Sequence, residues 1–269
     1  MKRKLLKIFI ILLVLLVLCY ILYQLIGWNV ATRRYQAHVK SLLDKQSDEI
    51  FTPGEKIAYT LRYMGLPAGK AITRVQEITE FNNREVYVLT GRVRTSDFIS
   101  LFFEAEGRVC SYIDSKRFHS LYFHEESQAS GHRKNEKTLI FNQQDLFLQI
   151  DGGEKVRILP DTQDPLSAFY FLRLLDYDKI KEGYEINIKS RKRDRTLVVN
   201  FAGKEKIKTP FGEIETIKVY IHLKPVKATS RHEISGFVWL TDNKKKIPIQ
   251  VRLKTKAGPA SFLLYDLDL

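Results

Sequence analysis

A run of residues without charge opens the chain and is its strongest local pattern. No charged side chain occurs in residues 8–28, and about 20 apolar residues of helix are enough to span the hydrocarbon core of a membrane. A cleavable signal peptide has a shorter apolar region followed by small residues, whereas Gly27-Trp28-Asn29 ends this run. The pattern therefore predicts an uncleaved transmembrane anchor helix over residues 8–28, in preference to a signal peptide.

Positive charges on the two sides of this run predict its orientation. Residues 1–7 contain four basic side chains, whereas Arg33 and Arg34 follow the run. The denser basic cluster marks the cytoplasmic side of a membrane helix. We therefore expect a cytoplasmic tail over residues 1–7 and a single-pass inner-membrane protein whose main domain is periplasmic.

The pattern changes twice after the anchor. Residues 29–50 are polar with scattered apolar positions, which predicts a short juxtamembrane helix or stalk. Pro53-Gly54 then breaks any helix, and apolar and polar residues alternate with a period of two from residue 55 onward. This alternation is typical of strands that are buried on one face. An exported domain is therefore expected over residues 51–269.

Alternation of the same kind continues to the end of the chain. Strands are expected at residues 55–63, 70–80, 86–94, 98–106, 109–113, 118–125, 138–142, 147–151, 156–159, 184–189, 196–201, 213–223, 235–240, 247–254 and 260–267. Residues 65–69 and 152–153 are predicted to be turns, and the polar residues 127–137 an exposed loop. Because no linker divides the region, these strands are expected to form one antiparallel domain.

One segment with helical spacing interrupts the strands. Asp164 is a favourable N-cap, and Pro165 suits the first helical position. The apolar positions that recur at helical spacing are Leu166, Phe169, Tyr170 and Leu174. The helix is expected to end before Gly183 and to bury its apolar face. The predicted fold is therefore all-β and mainly antiparallel, with a curved sheet forming a half-barrel or barrel around one embedded helix.

Composition and predicted location limit the classes of molecule that the protein could bind. The 44 Lys and Arg residues outnumber the 31 Asp and Glu residues and give a net charge of +13, which favours nucleic acid, anionic lipid or an acidic partner. A periplasmic location excludes nucleic acid. Of the two cysteines, Cys19 lies in the anchor and Cys110 in the domain, so no disulfide can form within the exported part.

Several spaced motifs resemble a known family. They are residues 51–56 (FTPGEK) with Tyr59, Gly65 and Ala68-Gly69, residues 163–173 (QDPLSAFYFLR), residues 209–212 (TPFG), and residues 239–242 (WLTD) with Pro248. Over residues 51–269 the chain resembles the bacterial family catalogued as domain of unknown function 3108 (DUF3108), although Asn142 stands where the family has an Asp. The resemblance implies an exported, β-rich envelope protein. By looser analogy, a curved sheet with a helix on its concave face is similar to the periplasmic lipoprotein carriers.

Candidate catalytic and metal-binding groups do not match a known pattern. His119 and His124, with Glu125 and Glu126, form a His–acid cluster, but a separation of five residues places the two imidazoles on opposite faces of a strand. Cys110 has no local motif. The sequence therefore predicts no enzymatic activity, no metal and no cofactor.

Two groups are candidate binding residues. The helix contributes Leu166, Phe169, Tyr170, Arg173 and Leu174 as a candidate ligand-binding face. The basic run of Arg191, Lys192, Arg193 and Arg195 suits lipid head groups or other envelope polyanions. The leading hypothesis is a non-enzymatic, membrane-anchored envelope protein that binds a lipid or lipid-modified partner such as a lipoprotein. A structural protein docked to another envelope protein is the alternative, and an enzyme on envelope glycan or lipid is a minor one.

Overall fold

The computed structural model describes residues 32–43, 49–180, 182–190, 193–226 and 233–269. Helix α1 covers residues 32–43, α2 covers Asp97–Ser100, and α3 covers Pro165–Phe171. The strands are β1 (Lys56–Tyr63), β2 (Leu66–Phe81), β3 (Arg84–Thr95), β4 (Ala105–Asp114), β5 (Ser120–Ala129), β6 (Asn135–Asn142), β7 (Phe147–Ile150), β8 (Lys155–Arg157), β9 (Tyr184–Ser190), β10 (Arg193–Thr209), β11 (Gly212–Pro225), β12 (Ile234–Thr241), β13 (Pro248–Thr255) and β14 (Gly258–Asp268).

All these strands belong to one 14-stranded sheet, in the order β8-β7-β6-β5-β4-β3-β2-β1-β14-β13-β12-β11-β10-β9. Every neighbouring pair is antiparallel, which confirms the mainly antiparallel all-β prediction. The first hairpin turns at Met64 and Gly65, with φ of 50° and 83°. A two-residue turn with positive φ at both positions follows the twist of its strands. The predicted turn at residues 65–69 is therefore too long.

A short segment before α3 contacts β9 at one edge of the sheet and the residues just before β5 on the other side. Gln163 forms a parallel bridge with Ile188 of β9. Its amide donates to the Asn187 carbonyl at 2.8 Å, and its carbonyl accepts from the Lys189 amide at 2.9 Å. On the opposite side, Gln163 Nε2 donates to the Phe118 carbonyl at 2.9 Å, just before β5. The sheet is thus curled into a barrel-like shape, with this segment between its two halves.

Helix α3 lies inside the curled sheet and joins three groups of buried apolar side chains. Leu166 and Tyr170 belong to the group on β2 to β7. Ala168 and Leu172 belong to the group on β9 to β13. Phe169 packs against both groups and against a third, which α1, β1, β11, β13 and β14 form at one end of the sheet. The predicted burial of the helix against the sheet is confirmed.

A buried ion pair joins the chain after α3 to the start of the domain. The side chains of Arg173 and Glu55 are 1% and 0% exposed. Arg173 donates from Nη1 and Nη2 to the two carboxylate oxygens at 2.5 and 2.8 Å. It also donates to the carbonyls of Ile50 at 2.6 Å and Lys245 at 2.9 Å. These bonds compensate for the removal of two charges from water.

The predicted strand at residues 98–106 is wrong. This segment forms α2 and a turn, and β4 begins at Ala105. Ser96 caps the helix by accepting from the Ile99 amide at 3.5 Å, and Ser100 Oγ donates to the Ser96 carbonyl at 2.9 Å. An apolar run suggested a buried strand, but Phe98 and Phe102 are 69% and 79% exposed. Local capping therefore decides the conformation here, because no burial competes with it.

The predicted loop at residues 127–137 is also wrong, since β5 continues to Ala129 and β6 begins at Asn135. The paired positions include Ser127 and Asn135, and a turn of residues 130–134 remains. Lys134 forms ion pairs with Glu126 at 3.4 Å and with Glu136 at 2.5 Å. The polar composition thus reflects charge pairing between two strands rather than a loop.

Helix α3 is shorter than predicted. After Phe171 the Arg173 amide donates to the Tyr170 carbonyl, and the Leu174 amide donates to the Phe171 carbonyl, each at 3.0 Å. These are the tighter three-residue turns that commonly end a helix. Tyr177 Oη donates to the Leu172 carbonyl at 2.7 Å. Leu174 therefore lies beyond the helix.

The predicted tail and anchor, residues 1–28, lie outside the described residues. Among the residues that the structure describes, no helix is long and apolar enough to cross a membrane. Part of the predicted juxtamembrane segment is helix α1, in which Val39 and Leu43 are 0% and 2% exposed. This helix therefore packs on the domain.

Replacing Glu55 with Ala would leave Arg173 buried without its counter-ion. We expect the free energy of unfolding to fall by about 3–5 kcal/mol, because an uncompensated buried charge is costly. Urea denaturation followed by circular dichroism measures the change. The control is Glu215→Ala, which breaks an exposed pair with Lys206 and should cost about 1 kcal/mol or less. Equal losses in the two variants would contradict the expectation.

Candidate functional site

The concave face of the sheet and one side of α3 enclose an apolar cavity of about 530 Å³. Ile221, Leu253 and Phe262 line it from the sheet, and Leu166 and Phe169 line it from α3. Cavities of about 300–1,000 Å³ with apolar walls are the usual sites for small apolar or amphipathic ligands. This cavity is the candidate functional site.

A second cavity of about 1010 Å³ adjoins the first and extends between β1 and β5 toward one end of the sheet. The two share Ala71, Thr73, Leu166 and Phe262 in their walls. Both cavities are partly open to solvent. The two cavities therefore lie side by side along α3.

Gly91 of β3 lies between Val109 of β4 and Leu166 of α3. A Cβ atom at this position would lie 2.8 Å from Val109 Cγ2 and 3.7 Å from Leu166 Cδ1. A side chain here would therefore clash with Val109 of β4, whereas its distance to Leu166 would be an ordinary van der Waals contact.

Polar side chains gather where β5 and β6 approach β9 and β10. Lys137 and Glu125 are cross-strand partners on the concave face and form an ion pair. Lys137 Nζ also donates to Ser190 Oγ at 3.4 Å. Ser190 and Arg195 line the smaller cavity, and Arg195 is the one charged residue among the described residues of its wall. An apolar space with a cation at one place in its wall suits an amphipathic anion.

Asp164 holds the first turn of α3 through four accepted hydrogen bonds. Its Oδ1 accepts from the amides of Leu166 at 2.8 Å and Ser167 at 3.0 Å. Its Oδ2 accepts from the hydroxyls of Ser111 at 2.5 Å and Ser120 at 2.7 Å. Burial raises the pKa of the Asp164 carboxyl, and these hydrogen bonds act in the opposite direction. The predicted N-cap is confirmed, and it also ties α3 to β4 and β5.

The structure places the predicted helix residues in different surroundings. Leu166 and Phe169 line the cavity. Tyr170 is 1% exposed and lies in the core, Arg173 forms the ion pair with Glu55, and Leu174 packs against the same core group as Tyr170. Two of the five predicted ligand-binding residues therefore reach the space that a ligand would occupy.

The predicted basic run is described in part. Arg191 and Lys192 lie outside the described residues, and of Arg193 only the backbone, at the start of β10, is described. Arg195 lines the smaller cavity with Leu197, two residues further along the strand, because alternate residues of a strand share a face.

Most of the cavity wall comes from strand residues that the sequence analysis did not select, among them Ala71, Thr73, Ile221 and Leu253. Their period-two pattern predicts that they share the buried face of the sheet. The pattern does not show which part of that face the helix leaves open, because this depends on contacts between distant segments.

The candidate groups His119, His124 and Cys110 line neither of the two cavities. His119 Nδ1 is 3.0 Å from Asp161 Oδ1. Cys110 pairs with His124 across β4 and β5, but burial raises the pKa of its thiol, and a thiol attacks as the thiolate. Among the described residues, no group of three or more His, Cys, Asp or Glu could hold a metal ion.

One antiparallel sheet curled round a short helix, with an apolar cavity between them, defines a β-barrel-like fold. The crystal structure of the β-barrel-like protein of domain of unknown function DUF1849 from Brucella abortus is similar, with a TM-score of 0.52, 11% identity, and coverage of 80% of this chain and 96% of that chain. At this identity the similarity shows the fold alone. The chain belongs to the family of proteins of unknown function DUF3108, whose model matches residues 58–265, as its motifs predicted.

Two further crystal structures match with lower TM-scores. A lipoprotein candidate from Parabacteroides distasonis has a TM-score of 0.39 and 13% identity, and the match covers 83% of this chain and 100% of that chain. A candidate exported protein with a YmcC-like fold from Bacteroides fragilis has a TM-score of 0.40 and 11% identity, with coverage of 81% and 97%. No curated protein matches the chain.

Replacing Asp164 tests the cap and its charge. Asp164→Ala should lower the free energy of unfolding by about 1–3 kcal/mol, because buried donors lose their acceptor. Asp164→Asn keeps an acceptor oxygen without the charge. Since the folded pKa is raised, the contribution of the Asp164 carboxyl to stability is fully present below the unfolded pKa, and it is lost as the pH rises through the folded pKa.

The free energy of unfolding of the wild type minus that of Asp164→Asn should therefore decrease as the pH rises from about 4 to 7. Urea denaturation of both proteins at several pH values measures this difference. A difference that increases with pH would show that the hydrogen bonds outweigh burial.

Proposed function

We propose that this protein binds a lipid or a lipid-modified partner, with an acyl chain in the cavity between α3 and the sheet. The observation that carries the proposal is the apolar cavity of about 530 Å³ itself, which lies next to the larger cavity. An acyl chain gains free energy by leaving water in proportion to its buried apolar area. Ile221, Leu253, Phe262 and Phe169 offer apolar surface for that purpose.

The polar part of the wall supports an anionic head group over a neutral one. Arg195 and Ser190 lie together in the wall of the smaller cavity, and a guanidinium binds carboxylate or phosphate through paired hydrogen bonds. Ser190 in turn contacts the Lys137–Glu125 pair through Lys137. The proposed ligand is therefore an acyl chain with a carboxylate or phosphate near one end.

The proposal includes binding without catalysis, and attachment to the inner membrane through residues 8–28 with the domain on the periplasmic side. The raised pKa of Cys110 and the apolar cavity wall support a binding role. The charge-free run and the basic residues before it support the attachment.

The first experiment is native mass spectrometry and lipid extraction on residues 32–269, exported to a bacterial periplasm and purified without detergent. We expect a bound lipid at a defined ratio. Ala71 lies in the walls of both cavities, so Ala71→Trp should lower the bound fraction about tenfold, equivalent to about 1.4 kcal/mol of binding free energy. Leu253→Trp, in another part of the wall, should lower the bound fraction by a similar factor.

The matched control is Ala202→Trp, at an exposed position of β10, which should leave the bound lipid unchanged. A well-folded wild-type domain without lipid would contradict the proposal and favour docking to another envelope protein. Lipid that remains bound in both cavity variants would place its site elsewhere.

A further inference from the structure

One end of the sheet, which we call the rim, carries most of the exposed apolar surface. Seven large apolar side chains among the described residues are more than half exposed. Six of them lie at the rim, and Leu159 lies away from it. The six at the rim are Met64, Leu66, Phe98, Leu101, Phe102 and Val226. Exposed apolar side chains that gather at one place mark an interaction site, whereas scattered ones do not.

The apolar turns of the rim are neighbours in space. Residues 96–104, which include α2, form the connection between β3 and β4 and are called the α2 turn. At its start, the Ser96 amide donates to the Ala68 carbonyl of β2 at 2.9 Å. Next to this contact, the Met64 amide donates to the Pro259 carbonyl of β14 at 2.8 Å. Phe98 and Phe102 pack edge to face, with ring centroids 6.0 Å apart. The α2 turn and the β1–β2 turn therefore present one apolar surface.

Basic side chains flank this surface. The β5–β6 turn, residues 130–134, contains His132, Arg133 and Lys134, and its Ser130 amide donates to the Glu104 carbonyl of the α2 turn at 2.8 Å. A further connection at the rim, residues 256–257, contains Lys256 and no acidic residue. The acidic residues nearby are Asp97 and Glu104 of the α2 turn, and Lys134 is ion-paired with Glu126 and Glu136.

The rim is also where the larger cavity reaches the surface. Ile99 of α2 and His132 and Arg133 of the β5–β6 turn line that cavity. At the opposite end of the sheet lies α1, whose Tyr35 Oη donates to Asp266 Oδ1 at 2.5 Å. Residues 8–28, the predicted anchor, precede α1 in the sequence, and the rim lies at the end of the domain opposite α1.

We propose that the rim docks on a lipid bilayer with anionic head groups, with Phe98, Leu101 and Phe102 in the interface and Arg133 among the head groups. Aromatic and apolar side chains at a turn tip, next to cations, match the chemistry of a membrane surface. The docking does not depend on what the cavity holds, but it brings the cavity opening to the bilayer.

The test uses the full chain reconstituted in small vesicles of neutral phosphatidylcholine. Sucrose-loaded vesicles of phosphatidylcholine and phosphatidylglycerol are added, and the protein that sediments with them is measured. We expect sedimentation with the anionic vesicles and little with loaded phosphatidylcholine vesicles alone. Replacing Phe98 and Phe102 together by Ser should weaken the association about tenfold or more, and Arg133→Glu about fivefold.

Three controls separate this proposal from folding effects and from the proposed ligand. Leu159→Ser removes an apolar side chain that is 56% exposed away from the rim, and Lys179→Glu reverses a charge that is 85% exposed; both should sediment as the wild type does. Ala71→Trp should also sediment normally, whether or not it has lost a bound lipid. Absence of wild-type sedimentation, equal sedimentation with neutral vesicles, or unchanged sedimentation of the rim variants would overturn the proposal.

Discussion

The fold depends on one short helix that is held at both ends by the hydrogen bonds of buried ionisable side chains. Asp164 binds the first turn of α3 and two serines of the sheet, and Arg173, just beyond the last turn, binds Glu55 and two carbonyls. Between them Phe169 packs against all three groups of buried apolar side chains. Because these groups meet at the helix, its position sets how far the sheet can curl.

The cavity follows from the size of this helix. A 14-stranded sheet has a long concave face, and a helix of seven residues covers only the middle of it. Leu166 and Tyr170 pack into the core group on β2 to β7, and the cavity lies between the helix and another part of the concave face. A curled sheet whose interior is not filled by side chains encloses a cavity that can hold a ligand.

An apolar cavity and an apolar, basic rim at its opening form one arrangement rather than two separate features. The α2 turn contributes Ile99 to the wall of the larger cavity and Phe98 and Phe102 to the outer surface. A ligand with an acyl chain could therefore pass between a bilayer and the cavity without crossing bulk water, which would otherwise cost free energy in proportion to its apolar area.

Local signals predicted much of this architecture. Period-two alternation predicted most of the strands, the residues from Asp164 to Phe169 predicted the capped helix, and spaced motifs predicted the family. The same rules were wrong for residues 98–106 and 127–137. In the first, an apolar run remains exposed; in the second, charged residues pair across strands.

The sequence by itself determined which residues would face the core, because the period of a strand or helix is a local property of the backbone. Tertiary structure alone decided that Arg195 would face the cavity, that Arg173 would pair with Glu55 across 118 positions, and that the turns with Met64, Phe98 and Arg133 would gather at one rim. These features depend on sheet order and curvature, which arise from contacts between segments far apart in the chain.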